Sequence, residues 1–206
     1  MAALFPMFLR LEGRKCVVVG AGTIATQKLK SLQDCAANVQ VIAPEANPEI
    51  QALVRDGTVT WTQTEFKVEH LAGALLVIAA TGNPAVNELV YRAAQEQGIL
   101  CNAVDEPDSC DFYYPAVVRQ GDLQIAISTA GKSPALAQRI RKELEAQFDS
   151  SYIAWLNWLG TVREMFFKRG VQAGLRNKTL HQMASRKVFE RFKASSERRI
   201  RAERSS

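Results

Sequence analysis

Four groups of residues in this 206-residue chain have the types and spacing to do chemistry. Gly20-Ala21-Gly22-Thr23-Ile24-Ala25 reads G-x-G-x-x-A at the end of an apolar run, the pattern of a turn that carries a dinucleotide's pyrophosphate on a helix N-terminus. Gly20 permits the tight bend, Gly22 lets the backbone approach phosphate with no Cβ in the way, and Ala25 lets helix and strand pack closely. Thr23 and Ile24 open the helix, whose free N–H groups and positive dipole end suit an anion. The second group, Ala79-Ala80-Thr81-Gly82-Asn83, places small residues at a strand's C-terminal end. They leave room for a ribose and a nicotinamide, with Ala80, Thr81 and Asn83 as candidate contacts. In the third, Asp105 follows an apolar strand at the end where open α/β sheets present ligand-binding groups, with Asn102 beside it. A carboxylate there can act as a base or simply serve the turn before Glu106-Pro107, and Asn102 can orient a ligand or make a strand-end hydrogen bond. In the fourth, Ser128-Thr129-Ala130-Gly131-Lys132-Ser133 supplies hydroxyls, a lysine and the start of a helix at Pro134. Ser128, Gly131, Lys132 and Ser133 are therefore candidate anion ligands, or parts of an ordinary capped turn. Gly131-Lys132-Ser133 also resembles the end of a P-loop, but the glycine that motif requires earlier is Ala126, so triphosphate binding is rejected.

These residues need elements to position them. Cys16-Val17-Val18-Val19 is continuously apolar and β-branched, as in a strand buried on both faces of a parallel sheet. A helix follows, with Ile24, Leu29 and Leu32 on its apolar side. Val39 to Ala43, Val59 to Trp61, Ala74 to Ala80 and Gly98 to Val104 read as further strands among helical segments, so the expected class is α/β, a Rossmann-type parallel sheet with helices on its faces. Tyr113 to Val118 and Leu123 to Ser128, separated by Arg119 to Asp122, read as an antiparallel hairpin, with Leu123, Ile125 and Ile127 on one face. A two-stranded hairpin is marginal alone, and pairing with the same element of a second copy predicts a homodimer. Ser133-Pro134 caps a helix running to about Phe148. Residues 151 to 206 hold no proline, and Tyr152, Trp155, Leu156, Leu159, Val162, Met165 and Phe166 recur at helical spacing. The expected organisation is a nucleotide-binding domain at 1–112, a small α+β dimerisation region at 113–149 and a helical region at 150–206. Ser195 to Ser206 is expected to fray.

Composition sets the class. With 47% hydrophobic and 23% charged residues the chain is a globular protein. No apolar run approaches the roughly 18 to 20 residues of a membrane span, and no basic region precedes the apolar residues near Met1, so neither a membrane location nor a secretory signal is expected. Cys16, Cys35, Cys101 and Cys110 match no zinc or redox spacing and read as small hydrophobes in a reducing, cytoplasmic setting. His70 and His181, the two histidines, lie near no motif, so no resident metal is expected. The net charge of +5 is divided: residues 1–150 carry 13 Lys+Arg against 17 Asp+Glu, a net of −4, and residues 151–206 carry 13 against 4, a net of +9. The tail includes Arg186, Lys187, Arg191, Lys193, Arg198, Arg199, Arg201 and Arg204. It carries no recognisable reader motif, so a solvated basic face is expected rather than nucleic-acid binding, as it is for Arg139, Arg141 and Lys142. The second strand closes on Ala43-Pro44 with Glu45 as its first carboxylate and no arginine for a 2′-phosphate, which favours NAD over NADP.

The order of these motifs is specific. The segment Phe8-Leu9-Arg10-Leu11-Glu12-Gly13-Arg14-Lys15 leading into Cys16 to Gly22, the Ala79 to Asn83 turn, Asn102-Ala103-Val104-Asp105 and Ser128 to Pro134 together resemble the precorrin-2 dehydrogenases of siroheme synthesis. Those enzymes occur alone or as the N-terminal part of siroheme synthase, and some also act as sirohydrochlorin ferrochelatases. The resemblance covers about residues 5 to 150, and with the chain stopping at Ser206 the methyltransferase half is not expected. It implies NAD-dependent oxidation of precorrin-2 to sirohydrochlorin, with the site formed across an intertwined dimer. It further implies Asp105 as general base and as chelatase proton acceptor, Asn102 and the Ser128 to Ser133 loop as contacts for the polycarboxylate substrate, and Ser128 as a residue phosphorylated in some relatives. Metal insertion would proceed through Asp105 accepting pyrrole protons. A non-catalytic module that senses NAD(H), or a dehydrogenase of another small molecule, would use the same glycine turn.

Overall fold

The structure is a computed structural model and describes residues 3–203. The chain forms two compact units, Met1–Tyr114 and Pro115–Ser206. The first is built on five strands, β1 Lys15–Val19, β2 Asn38–Ile42, β3 Thr60–Thr62, β4 Leu76–Ala79 and β5 Leu100–Ala103. All neighbours pair in parallel, in the order β3-β2-β1-β4-β5. The first two crossovers run outward through β2 to β3 and the third returns to the other side of β1, so the order reverses between β1 and β4. Ligands of open α/β sheets bind at that reversal, beyond the strands' C-terminal ends.

The strand sequences are apolar throughout because both faces are covered. Cys16 and Val18 of β1 join Val39, Val41, Leu76 and Ile78 in a core closed by Ala25, Leu29 and Leu32 of α1 (Thr23–Gln33) and Ile50 of α2 (Pro48–Arg55). The alternate residues Val17 and Val19 join Val77, Ala79, Cys101 and Ala103 against Val90, Ala93 and Ala94 of α3 (Pro84–Gln97). Ile24 departs from the expected apolar side of α1: it is 43% exposed, because the buried stripe is Ala25, Leu29 and Leu32 at i, i+4 and i+7, and Ile24 lies one residue, about 100°, away from it. Two helices to which the sequence reading gave no bounds, α2 and α3, start as α4 (Pro134–Gln147) does. Asn47, Asn83 and Ser133 each accept a hydrogen bond from the first turn, with proline just inside.

The second unit opens with an antiparallel pair, β6 Ala116–Gln120 and β7 Leu123–Ile127. Here the expectation is corrected. Arg119 and Gln120 are strand residues and only Gly121-Asp122 turns, with Gly121 at φ +59 supplying the bend. Tyr113 and Tyr114 belong to the first unit, since the Tyr113 hydroxyl donates to the Pro107 carbonyl at 3.2 Å and the Lys28 ammonium lies 3.7 Å from the Tyr114 ring centre. As expected, Leu123, Ile125 and Ile127 are half-buried while Gln124 and Ala126 are exposed. Helices α4 (Pro134–Gln147), α5 (Ser151–Lys168), α6 (Ala173–Met183) and α7 (Arg186–Glu203) complete the unit. Tyr152 and Trp155 of α5 pack on Phe189 of α7 with ring centres 4.3 and 4.8 Å away. Met165 points outward, 37% exposed. The polar end expected to fray is helical through Glu203, because Glu, Arg and Ala are good helix formers and no Gly or Pro interrupts them. Positions 204–206, and the side chains of Arg199 and Arg201, lie outside the described residues.

Asp149, between α4 and α5, accepts hydrogen bonds from the Lys193 ammonium at 2.6 Å, from the Ser151 amide at 2.9 Å and from the Ser151 hydroxyl. These bonds, the Lys193 one foremost, hold its carboxyl at about 2 against an ordinary 3.8. A depressed carboxylate adds stability that is present above its unfolded pKa and lost as pH falls through the folded one. Asp149→Asn should lower the melting temperature at pH 7 by on the order of 1–3 °C, since exposed pairs contribute little. The gap from the parent protein should close between pH 3.8 and about 2.

Candidate active site

The glycine turn is fixed by a contact that only glycine permits. Gly20 adopts φ +107, and a Cβ on it would lie 2.3 Å from the Ala80 carbonyl oxygen and 2.7 Å from the Ala80 carbonyl carbon. Gly20 donates its N–H to Ile42 at 2.9 Å and Ala80 donates to Val19 at 2.8 Å, so the ends of β1, β2 and β4 are drawn together there. Gly22 is the reverse case, because a Cβ on it would meet nothing within 4 Å. That open space faces the first turn of α1, where Gly22 is the N-cap and brings no side chain to satisfy the N–H groups behind it. The first helical bond is donated by Thr26 to the Gly22 carbonyl at 3.0 Å. Among the described residues, none accepts from the amides of Thr23, Ile24 or Ala25. Thr23 and Ile24 are exposed and Ala25 is fully buried against the sheet. The turn therefore fits a pyrophosphate: an open cradle, unpaired donors and a positive helix end.

Asn47 holds this turn from behind, and sequence reading missed it. Its backbone N–H donates to Ala21 at 3.2 Å and its side-chain amide to the Thr26 hydroxyl at 3.0 Å, while that hydroxyl donates to Gly22 at 3.0 Å. Glu45 lies exposed just past β2. Trp61 donates its indole N–H to the Ala43 carbonyl at 2.9 Å and so secures the same loop.

Thr81 and Asn83 form the opposite wall, and their side chains are occupied within the protein. The Asn83 side chain accepts from Ala85 at 3.0 Å as the cap of α3. The Thr81 hydroxyl lies 2.6 Å from the Asn87 side-chain oxygen and accepts the Asn83 N–H at 3.2 Å. What this wall offers a ligand is the half-buried Ala80 and the exposed backbone of Gly82.

Asp105 follows β5 at the same edge of the sheet, in the left-handed region at φ +63, a conformation that aspartate tolerates better than most residues. It is exposed, and among the described residues its carboxylate accepts no hydrogen bond. Asn102, 7% exposed, turns the other way: its amide nitrogen donates to the Phe112 carbonyl at 2.8 Å and lies 3.4 Å from the Cys110 sulfur. Lys28 of α1 is a further group the sequence reading did not single out. It is half-buried over the Tyr114 ring, and burial lowers its pKa against the opposing pull of Cys110 and Asp105.

The fourth group belongs to the second unit. Ser128 accepts from Ala130 at 3.1 Å, Thr129 from Ser133 at 3.2 Å, and Ser133 caps α4 by accepting from Leu136 at 3.2 Å. Ala130 and Gly131 adopt φ +50 and +77, and Gly131 and Lys132 are exposed. Among the described residues no cluster of three His, Cys, Asp or Glu side chains is placed to hold a metal ion, and no helix is long and apolar enough to cross a membrane.

A reversing parallel sheet with a glycine cradle at the reversal defines a Rossmann-type, nicotinamide-dinucleotide-binding protein. Comparison with known proteins narrows this. The NAD(P)-binding family matches residues 7–116, and the family of the sirohaem biosynthesis protein central region matches residues 120–147. The chain belongs to this siroheme-biosynthesis family of nicotinamide-dependent proteins. Siroheme synthase 1 of Aeromonas salmonicida is 36% identical over 180 residues, 87% of this chain and 38% of its own length. The siroheme synthase of Neisseria meningitidis serogroup C is 38% identical over 142 residues, 69% of this chain and 30% of its own. The chain thus spans about a third of the length of these relatives. A solved structure titled SirC, precorrin-2 dehydrogenase, superposes with a TM-score of 0.77 at 27% identity, covering 95% of this chain and all of that one.

Gly20→Ala should disrupt the site, because the clashing atom is backbone and the φ is closed to an L-residue. A loss of at least about 2 kcal/mol in unfolding free energy is expected, with dinucleotide binding abolished. Gly22→Ala should fold normally and weaken dinucleotide binding alone. Urea titration and calorimetry with NAD+ read the two effects separately.

Proposed function

We propose that this chain oxidises precorrin-2 to sirohydrochlorin with NAD+ as cofactor, acting in the cytoplasm as a homodimer. The observation that carries the reading is the crevice itself, in which the open Gly22 cradle and the exposed, unpaired Asp105 carboxylate share the C-terminal edge of one sheet. The full-length likeness to a precorrin-2 dehydrogenase and the siroheme synthase relatives supply the substrate class. NAD is preferred to NADP because Glu45 is the first ionisable residue past β2, and the cation Lys30 is already paired with Glu49 at 2.6 Å.

The N–H groups of the exposed Thr23 and Ile24 hold the pyrophosphate, with Ala25 packing the helix on the sheet behind them, and Ala80 and Gly82 leave room for the rest of the dinucleotide. Bound NAD+ supplies the hydride acceptor. Asp105 takes the accompanying proton: its exposed carboxylate has no protein donor competing for its lone pairs. The hydroxyls and Lys132 of the Ser128 to Ser133 loop receive carboxylates of the substrate. For ferrochelation, Fe2+ is the second substrate and Asp105 the acceptor of the pyrrole protons. A second copy is supported by a run of exposed apolar side chains, with Phe5 81%, Met7 59% and Phe8 70% exposed in one extended segment. Sedimentation should give twice the mass of the chain.

The test is an anaerobic incubation of the purified chain with precorrin-2 and NAD+, followed by the absorbance of sirohydrochlorin and repeated with Fe2+ or Co2+. Product is expected in the first step, and its absence refutes the assignment. Product without metal uptake leaves a dehydrogenase alone. Asp105→Ala should retain NAD+ binding and lose turnover by about 100-fold or more. Unchanged turnover removes Asp105 from its role.

A further inference from the structure

Asn87 lies one turn into α3, only 3% exposed, among the alanines and valine that pack that helix on the sheet. A buried amide is costly unless its hydrogen bonds are made, and here they are. Its side-chain oxygen accepts from the Thr81 backbone N–H at 3.2 Å and from the Thr81 hydroxyl at 2.6 Å. A backbone N–H can only donate, so the atom facing Thr81 must be the oxygen. The amide nitrogen is thereby turned to the Glu106 carboxylate, 3.3 Å away. One buried side chain therefore ties together two loops at the crevice. One is the loop whose Ala80 carbonyl abuts Gly20. The other is the turn in which Glu106 follows Asp105, itself held at φ +63.

We infer that Asn87 is a positioning residue of this site, setting the separation between the loop that borders the cofactor and the turn that carries Asp105. Its catalytic arm rests on the dehydrogenase reading above, whereas its cofactor arm requires only that the crevice bind a dinucleotide. Each arm predicts a different loss. Asn87→Asp keeps an acceptor toward Thr81 but sets a second carboxylate against Glu106. The bond made by Glu106→Gln in that background runs the opposite way, with the glutamine amide as donor. Asn87→Leu removes both arms while keeping the number and branching of the side-chain heavy atoms.

The experiment measures NAD+ affinity by calorimetry, turnover of precorrin-2 and melting temperature on the full chain. Asn87→Asp should hold NAD+ affinity within about twofold and lower kcat by about tenfold, and adding Glu106→Gln should return kcat to within about threefold of the parent. Asn87→Leu should weaken NAD+ binding by about fivefold or more, one hydrogen bond's worth. If that variant does not fold, Thr81→Ala, which removes the hydroxyl that Asn87 holds together with the γ-methyl, carries the same expectation. If Asn87→Asp does not fold, Glu106→Ala should give the tenfold fall in kcat with NAD+ binding intact. Parent-like kcat and affinity, or a loss at unchanged melting temperature that Glu106→Gln fails to reverse, overturns the inference. If the parent itself does not oxidise precorrin-2, the dehydrogenase reading fails, and unchanged NAD+ affinity in Asn87→Leu or Thr81→Ala then decides against Asn87 as well.

Discussion

The approach of Gly20 to Ala80 is the constraint on which the first unit depends. With 2.3 Å between a would-be Cβ and a carbonyl oxygen, the two strands that flank the sheet's reversal can end side by side only if one residue there has no side chain. From that closure follow the direction in which α1 leaves the sheet, the open space over Gly22 and the position of the wall formed by Ala80. The contact is backbone against backbone, so no rotamer change relieves it. A fault at this point would be felt through the whole crevice.

Around this closure the protein uses its short polar side chains as internal ties and leaves backbone groups and one exposed carboxylate for ligands. Asn47 and Thr26 fasten the glycine turn, Asn83 caps α3, Thr81 is held by Asn87, and Asn102 anchors the segment at Phe112. Each such bond contributes only about 1 kcal/mol net, yet leaving the buried ones among them, Thr26, Asn87 or Asn102, unpaired would cost more. The ties therefore act chiefly as a demand for one arrangement. Asp105 stands outside the network, which is what leaves its carboxylate open to a substrate.

The cysteines illustrate the same separation of structure from chemistry. Burial pushes the Cys16 thiol up to about 11 and Cys101 up to about 12, and it raises Cys110 as well. A thiol so shifted is almost wholly protonated at neutral pH and is a poor nucleophile or metal ligand. Cys16 and Cys101 serve as small apolar fillers of β1 and β5, while the half-buried Cys110 donates its thiol to the Ala103 carbonyl at 3.1 Å.

The sequence alone was enough for the parallel sheet, the glycine cradle, the hairpin and the cap of α4, because each is written locally, in a period of apolar residues or a turn of fixed spacing. Asn47-Pro48 and Asn83-Pro84 carried the same cap-and-proline signal as Ser133-Pro134 and were equally legible, though the two helices were given no bounds. The pairing of Asn87 with both Thr81 and Glu106 was not legible, nor was the turning of Asn102 toward Phe112. A polar residue in a strand or helix looks alike whether it faces a ligand or the protein's own backbone. Ile24 shows the limit from the apolar side: it was read with Leu29 and Leu32, but the helix buries Ala25 with them and turns Ile24 to solvent. Which side chains are left free is decided by strands and loops distant in sequence that meet only once the sheet has closed, and that meeting is a property of the tertiary structure.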